Sequence, residues 1–115
     1  DFCDGVVREV HDQEILDAAR RLTRAARSPA RVILFGSYAR GEADARSDVD
    51  LLVVEDALED KAGEYIRLRD ALGTLPTGVD LLLLSRAEFD RRSQVKGTMP
   101  FRARTEGRLL HDTTA

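Results

Sequence analysis

The chain has 115 residues, of which 43% are hydrophobic and 34% charged, with a formal net charge of −3. That length suits a single domain, residues 1–115, with a modest core, and the acidic balance argues against nucleic acid as a direct partner while leaving a local basic patch open. One cysteine, Cys3, excludes an intrachain disulfide and fits a reducing cytoplasm; no apolar run approaches the roughly 18 residues needed to span a bilayer, and Asp1–Gly5 has no basic-then-apolar leader, so neither a membrane span nor a signal peptide is expected.

In chain order, Val6 to Arg27 reads as a helix with Val10, Ile15, Ala18, Ala19 and Leu22 on its apolar side, ended by Ser28-Pro29. Arg31 to Phe35 is a strand, Ser37 to Arg40 begins a short helix, and Gly41 to Ser47 is a polar loop. Val49 to Val54 is a second strand, whose unbroken apolar character implies burial on both faces. Leu58 to Leu72 fits a helix with Leu58, Ala62, Tyr65, Ile66, Arg69 and Leu72 near one face. Gly73 to Gly78 is a turn and Val79 to Leu84 a third strand. Ser85 with Glu88 forms a capping box, and Gly97 to Arg108 is a final helix interrupted early by Pro100. Helices alternating with strands imply an α/β sheet layered with helices.

The residues richest in chemistry are Gly36 to Asp50, GSYARGEADARSDVD: a Gly-Ser pair, ten residues, then Asp-x-Asp, with a strand on either side. Successive side chains of a strand alternate between faces, so Asp48 and Asp50 share one. Paired carboxylates offer hard oxygen ligands suited to Mg²⁺, which completes its shell with substrate phosphates. Asp80, a lone carboxylate in the apolar third strand, can join them, and three such charges need cations to relieve their repulsion. Two metal ions about 3.5–4 Å apart can stabilise both the attacking and leaving oxygens of a phosphoryl displacement. Gly36 allows close backbone approach, and Ser37 places a hydroxyl at a helix start whose free N–H groups favour phosphate.

Gly-Ser, ten residues, Asp-x-Asp and a later strand Asp resemble the nucleotidyltransferase superfamily of DNA polymerase β-like proteins. GSYARGEADARSDVDLLVV resembles more narrowly the minimal nucleotidyltransferases (MNT). The resemblance covers Arg31 to Ser85 and continues weakly to Thr105–Leu110, similar to the group's closing helix and short strand. It implies a small mixed β-sheet flanked by helices, with added short strands near Arg102 to His111 and the active site along one edge. By the same resemblance Asp48 and Asp50 ligate metal, Asp80 joins the metal set and activates an acceptor hydroxyl, and Gly36 and Ser37 hold the triphosphate. The implied cofactor is Mg²⁺ or Mn²⁺, with ATP as substrate.

Other side chains are weaker candidates. Arg40, three residues past Ser37, can touch phosphate. Arg46 and Lys61 compete with plain solvation, and Tyr38 with packing at the helix start. His11 and His111 lack metal-ligand spacing, and the basic stretch Arg86, Arg91, Arg92, Lys96 reads as a solvated helix face. Minimal members of the group are commonly antitoxins paired with an all-helical HEPN-type ribonuclease toxin. The resemblance therefore implies transfer of AMP from ATP to a tyrosine hydroxyl of that partner. Two alternatives stay open: an antitoxin that acts by contact alone, and an enzyme that modifies a small molecule such as an aminoglycoside. The oligomeric state is open as well.

Overall fold

A computed structural model describes residues 2–43, 48–73 and 78–114, with side chains from Gln13 onward. Four strands are β1 Ala30–Phe35, β2 Val49–Glu55, β3 Val79–Ser85 and β4 Arg108–Asp112; five helices are α1 Phe2–Ala25, α2 Ser37–Arg40, α3 Lys61–Leu72, α4 Arg86–Arg92 and α5 Met99–Glu106. The strands form one mixed sheet in the order β3-β2-β1-β4. β1 runs antiparallel to β2 and β4, whereas β2 and β3 are parallel.

Leu, Val and Ile fill both faces of the two central strands, so each face needs its own cover. Ala30, Val32, Leu34, Val49, Leu51, Val53 and Leu83 pack with Ile15, Ala18, Ala19 and Leu22 of α1 and Leu68 and Leu72 of α3. The alternate positions Ile33, Phe35, Leu52, Val54 and Leu84 pack with Phe89 of α4 and Ala103 of α5. The expected both-face burial of β2 holds for all its apolar residues, and only Asp50 is half-buried. Burying each such aliphatic side chain favours the fold by about 1.5–3 kcal/mol before entropy is charged against it. Thr113 pins β4 to the start of β1: the Ala30 N–H donates to its Oγ1 at 2.9 Å, and its own N–H donates to the Ala30 carbonyl at 2.9 Å.

Several boundaries differ from expectation. α1 starts at Phe2 and stops at Ala25. α3 begins at Lys61 because Asp60 caps it, accepting from the Gly63 N–H at 3.1 Å. In α5, Thr98 is the N-cap and Pro100 sits in the first turn, where a missing N–H costs nothing, so the proline starts the helix and does not interrupt it. The Ser85–Glu88 capping box is present on both sides. The loop expected at 41–47 and the turn at 73–78 lie partly outside the described residues, as does the side chain of Val10.

The largest correction concerns α3. Its inward residues are Glu64, Leu68 and Leu72, while Tyr65 and Ile66 are exposed, Ile66 by 63%. Glu64 is buried because partners await it: the backbone N–H of Arg27 donates to it at 2.9 Å and the Arg67 guanidinium at 3.2 Å. It also shares a hydrogen bond with Glu55, which is 1% exposed at the end of β2. Ser28 donates to Oε1 of Glu55 at 3.2 Å, and among the described residues nothing donates to its Oε2. Burial first, then the hydrogen bond and charge of Glu64, push Glu55 up to about 7. The folded chain thus holds a proton that the unfolded chain releases near 4.5. This group's contribution to stability is full below pH 4.5 and is lost as pH rises through about 7.

Glu55→Gln keeps a donor toward Glu64 and removes the charge. The expected outcome is a variant more stable than the parent at pH 8, by on the order of 1–3 kcal/mol, with a flatter dependence between pH 5 and 8. Urea unfolding across that range measures it.

Candidate active site

The site is built where β1 ends and β2 and β3 begin. After Phe35 the chain turns through Gly36, at φ 76° and ψ −154°, into the four residues of α2. The turn is closed by hydrogen bonds from the Arg40 N–H to the Gly36 carbonyl at 3.2 Å and from the Glu42 N–H to the Ser37 carbonyl at 2.9 Å. Antiparallel pairing sets Phe35 opposite Asp50, which brings Gly36 against that side chain. A Cβ on Gly36 would stand 2.1 Å from Oδ2 of Asp50. The glycine is required twice there, by its positive φ and by the carboxylate beside it.

Parallel pairing does the rest. β2 and β3 align with Val49 opposite Val79 and Asp50 opposite Asp80, and the Val49 N–H donates to the Gly78 carbonyl at 2.8 Å. Asp50 and Asp80 therefore stand side by side on the face covered by α4 and α5. Asp48 precedes β2 and is exposed. Its Oδ1 would lie 2.5 Å from a Cβ on Gly78, so that glycine makes room for the third carboxylate. Gly78 is a site residue that reading the sequence missed, because nothing local marks it; once parallel register is assumed, the small residue preceding β3 is its signal.

The electrostatics follow from the crowding. Burial first, then the charge and hydrogen bond of Asp80, then the charge of Asp48, raise Asp50 above the ordinary carboxylate range, with Arg40 opposing. Such a group gains from a proton or a bound cation. Carboxylate oxygens at the start of two strands suit a hard divalent ion in chemistry and placement. Among the described residues, no three His, Cys, Asp or Glu side chains yet stand close enough together to enclose a metal. Asp50 and Asp80 are paired in register, and Asp48 stands at the surface beside Gly78.

Arg40 is near enough to Asp50 to act on its charge, but its guanidinium is held by Glu42 at 3.1 Å and Glu106 of α5 at 3.3 Å. Lys61 pairs with Glu88 at 3.3 Å, at the far end of the strands. Tyr38 packs on the α1–α3 side of the core. His111 lies against Thr23, with Nδ1 2.9 Å from its Oγ1. Arg86, Arg91, Arg92 and Lys96 are exposed, as expected of a solvated face. Arg46 and the side chain of His11 lie outside the described residues. Two cavities, of about 350 and 500 Å³, open at the other end of the sheet, beside Glu55 and His111 respectively. Convergent carboxylates, not cavity size, mark the chemistry.

The contact between Gly36 and Asp50 yields a separable prediction. Gly36→Ala costs about 1–3 kcal/mol of stability from backbone strain plus collision with Oδ2. Adding Asp50→Ala recovers part of that cost, and a double-mutant cycle by urea unfolding reads the coupling. Additive effects would assign the cost to the backbone alone.

A family model described as a nucleotidyltransferase domain matches residues 13–103. No curated protein matches the chain. Among solved structures, a toxin–antitoxin crystal structure with AMP-PNP is similar over 86% of this chain and 74% of its own, at 20% identity and TM-score 0.60. A protein from Sulfolobus solfataricus described as a candidate nucleotidyltransferase is similar over 84% and 76%, at 21% identity and TM-score 0.57. A complex of tri-AMPylated Shewanella oneidensis HEPN toxin with MNT antitoxin is similar over 90% and 71%, at 19% identity and TM-score 0.51. These structural likenesses carry the fold, and the family match, which spans β1 through most of α5 and takes in the Gly36 turn and all three carboxylates, establishes that the chain belongs to the nucleotidyltransferase domain family.

Proposed function

We propose that the chain transfers AMP from ATP to a hydroxyl of a protein partner, a tyrosine of a helical HEPN-type toxin, and so acts as its antitoxin. The observation that carries this reading is the in-register pairing of Asp50 with Asp80 beside the Gly36 turn. The solved complexes with AMP-PNP and with a tri-AMPylated toxin support the donor and the acceptor class by analogy.

The roles follow from position. Gly36 leaves room for phosphate oxygens against the backbone, and Ser37 adds a hydroxyl donor. Asp48 and Asp50 would hold Mg²⁺ or Mn²⁺, with Asp80 adjoining; the ion, when bound, neutralises charge developing on the phosphates. Asp80 accepts the proton of the acceptor hydroxyl as its oxygen bonds to the α-phosphorus. The bond from that phosphorus to the bridging oxygen breaks, and pyrophosphate carries the electron pair away. Arg40 reaches a phosphate by exchanging Glu42 and Glu106 for it, a trade of charge-assisted bonds.

Three measurements test the reading. With Mg²⁺ present, Asp48→Asn/Asp50→Asn should weaken ATP binding at least about tenfold in titration calorimetry, since the ion normally draws on both carboxylates and phosphates. Asp80→Asn should bind ATP nearly as the parent does yet transfer AMP about a hundredfold more slowly or worse. Co-expression with the partner should give a partner heavier by AMP units with the parent chain and unmodified with Asp48→Ala/Asp50→Ala. Rescue of the cell by that double variant without any mass change would favour an antitoxin acting by contact.

A further inference from the structure

Between residues 18 and 41 the chain has six arginines and no aspartate or glutamate, although its net charge is −3. Three of them gather at the end of α1. Arg20 and Arg24 stand about one helical turn apart on α1, a rise of about 6 Å, and Arg27 follows just past its end. They line a cavity of about 500 Å³ whose other wall is β4, where His111 is fixed by Thr23. No carboxylate belongs to that lining among the described residues. Arg20 is shared with Asp17 at 3.6 Å, an exposed pair, and Arg27 with Glu64 at 3.8 Å while staying 74% exposed. Arg24 forms no ion pair among the described residues. The end of α1 contributes about half a negative charge, which three guanidinium groups outweigh.

We propose that this groove binds the phosphodiester backbone of a single nucleic-acid strand. Arginine presents planar donor pairs that match phosphate oxygens, and a row of them matches phosphates presented in a row. Among the described residues, the only apolar ones of the lining are Ala26 and Pro29. A protein interface is centred on buried aromatic or aliphatic anchors, and none is available here; nucleic-acid interfaces are polar and strongly positive. Among the described residues the lining also has no aromatic ring on which a base could stack, so recognition follows the backbone without sequence preference. The groove opens at the start of β1 and the carboxylate site lies past its end, about 17 Å away at about 3.3 Å per residue. A strand held there leaves the nucleotide site free, and the inference stands apart from the reaction proposed above.

The test is fluorescence anisotropy of labelled oligouridylate and oligothymidylate at low salt, using the full chain. Binding should fall steeply with salt, with a log–log slope of about −2 for three phosphates on a single strand. Arg24→Glu should weaken it at least about tenfold while leaving the thermal midpoint of circular dichroism in place. Inorganic phosphate should compete only far above the concentration of phosphates in the oligomer. Competition at equal phosphate concentration would make the groove a single-anion site and overturn the proposal. Equal binding by Arg24→Glu, no binding by the parent, or tighter binding of a polyglutamate peptide than of either oligomer would each overturn it as well.

Discussion

The parallel register of β2 and β3 is the constraint from which the candidate site follows. Backbone hydrogen bonds, not affinity between the side chains, set Asp50 opposite Asp80. The apolar residues behind them enforce it: a slip by one position would turn Leu52, Val54 and Leu84 away from the α4–α5 layer. Core burial thereby holds two like charges together that would separate in a free chain. The resulting pressure on Asp50 is stored electrostatic energy, released when a cation or proton arrives.

The same strand carries a second carboxylate problem and solves it differently. Asp50 lies at the start of β2 on one face, Glu55 at its end on the other. Asp50 stays half-buried, with Asp48 exposed beside it, and so is open to ligands. Glu55 is buried under α3 and holds its proton up to about pH 7. One group is poised for exchange with solvent and substrate, the other ties α3 to the sheet. Exposure separates the two roles, not residue type.

Much of this was legible in the residues. The strands around Gly36 and Asp50 stand out because long apolar runs and turn residues agree at every level. The Ser85 cap was readable from local hydrogen-bonding chemistry alone, whereas α2 starts from Gly36 with no side-chain cap. The face of α3 was not. Periodicity placed Tyr65 and Ile66 inside, since they are apolar; Glu64 went inside instead, because Arg27 and Arg67 converge on it from distant or adjacent positions. A pattern of hydrophobicity has no access to partners supplied by another segment of the chain. Gly78 was invisible for a related reason: its role exists only once Asp48 is beside it in space.

β4 closes the sheet against β1, and Thr113 clasps Ala30 across 83 residues of sequence. Synthesis runs from the N-terminus, so β1 can pair with β2 soon after both emerge, while its other edge remains bare until β4 has emerged. An apolar edge strand left unpaired is a template for wrong pairing. The interval between the making of β2 and the making of β4 is therefore a window in which the nascent chain carries an unpaired apolar edge. Slow translation of the segment encoding α4 and α5 would lengthen that window.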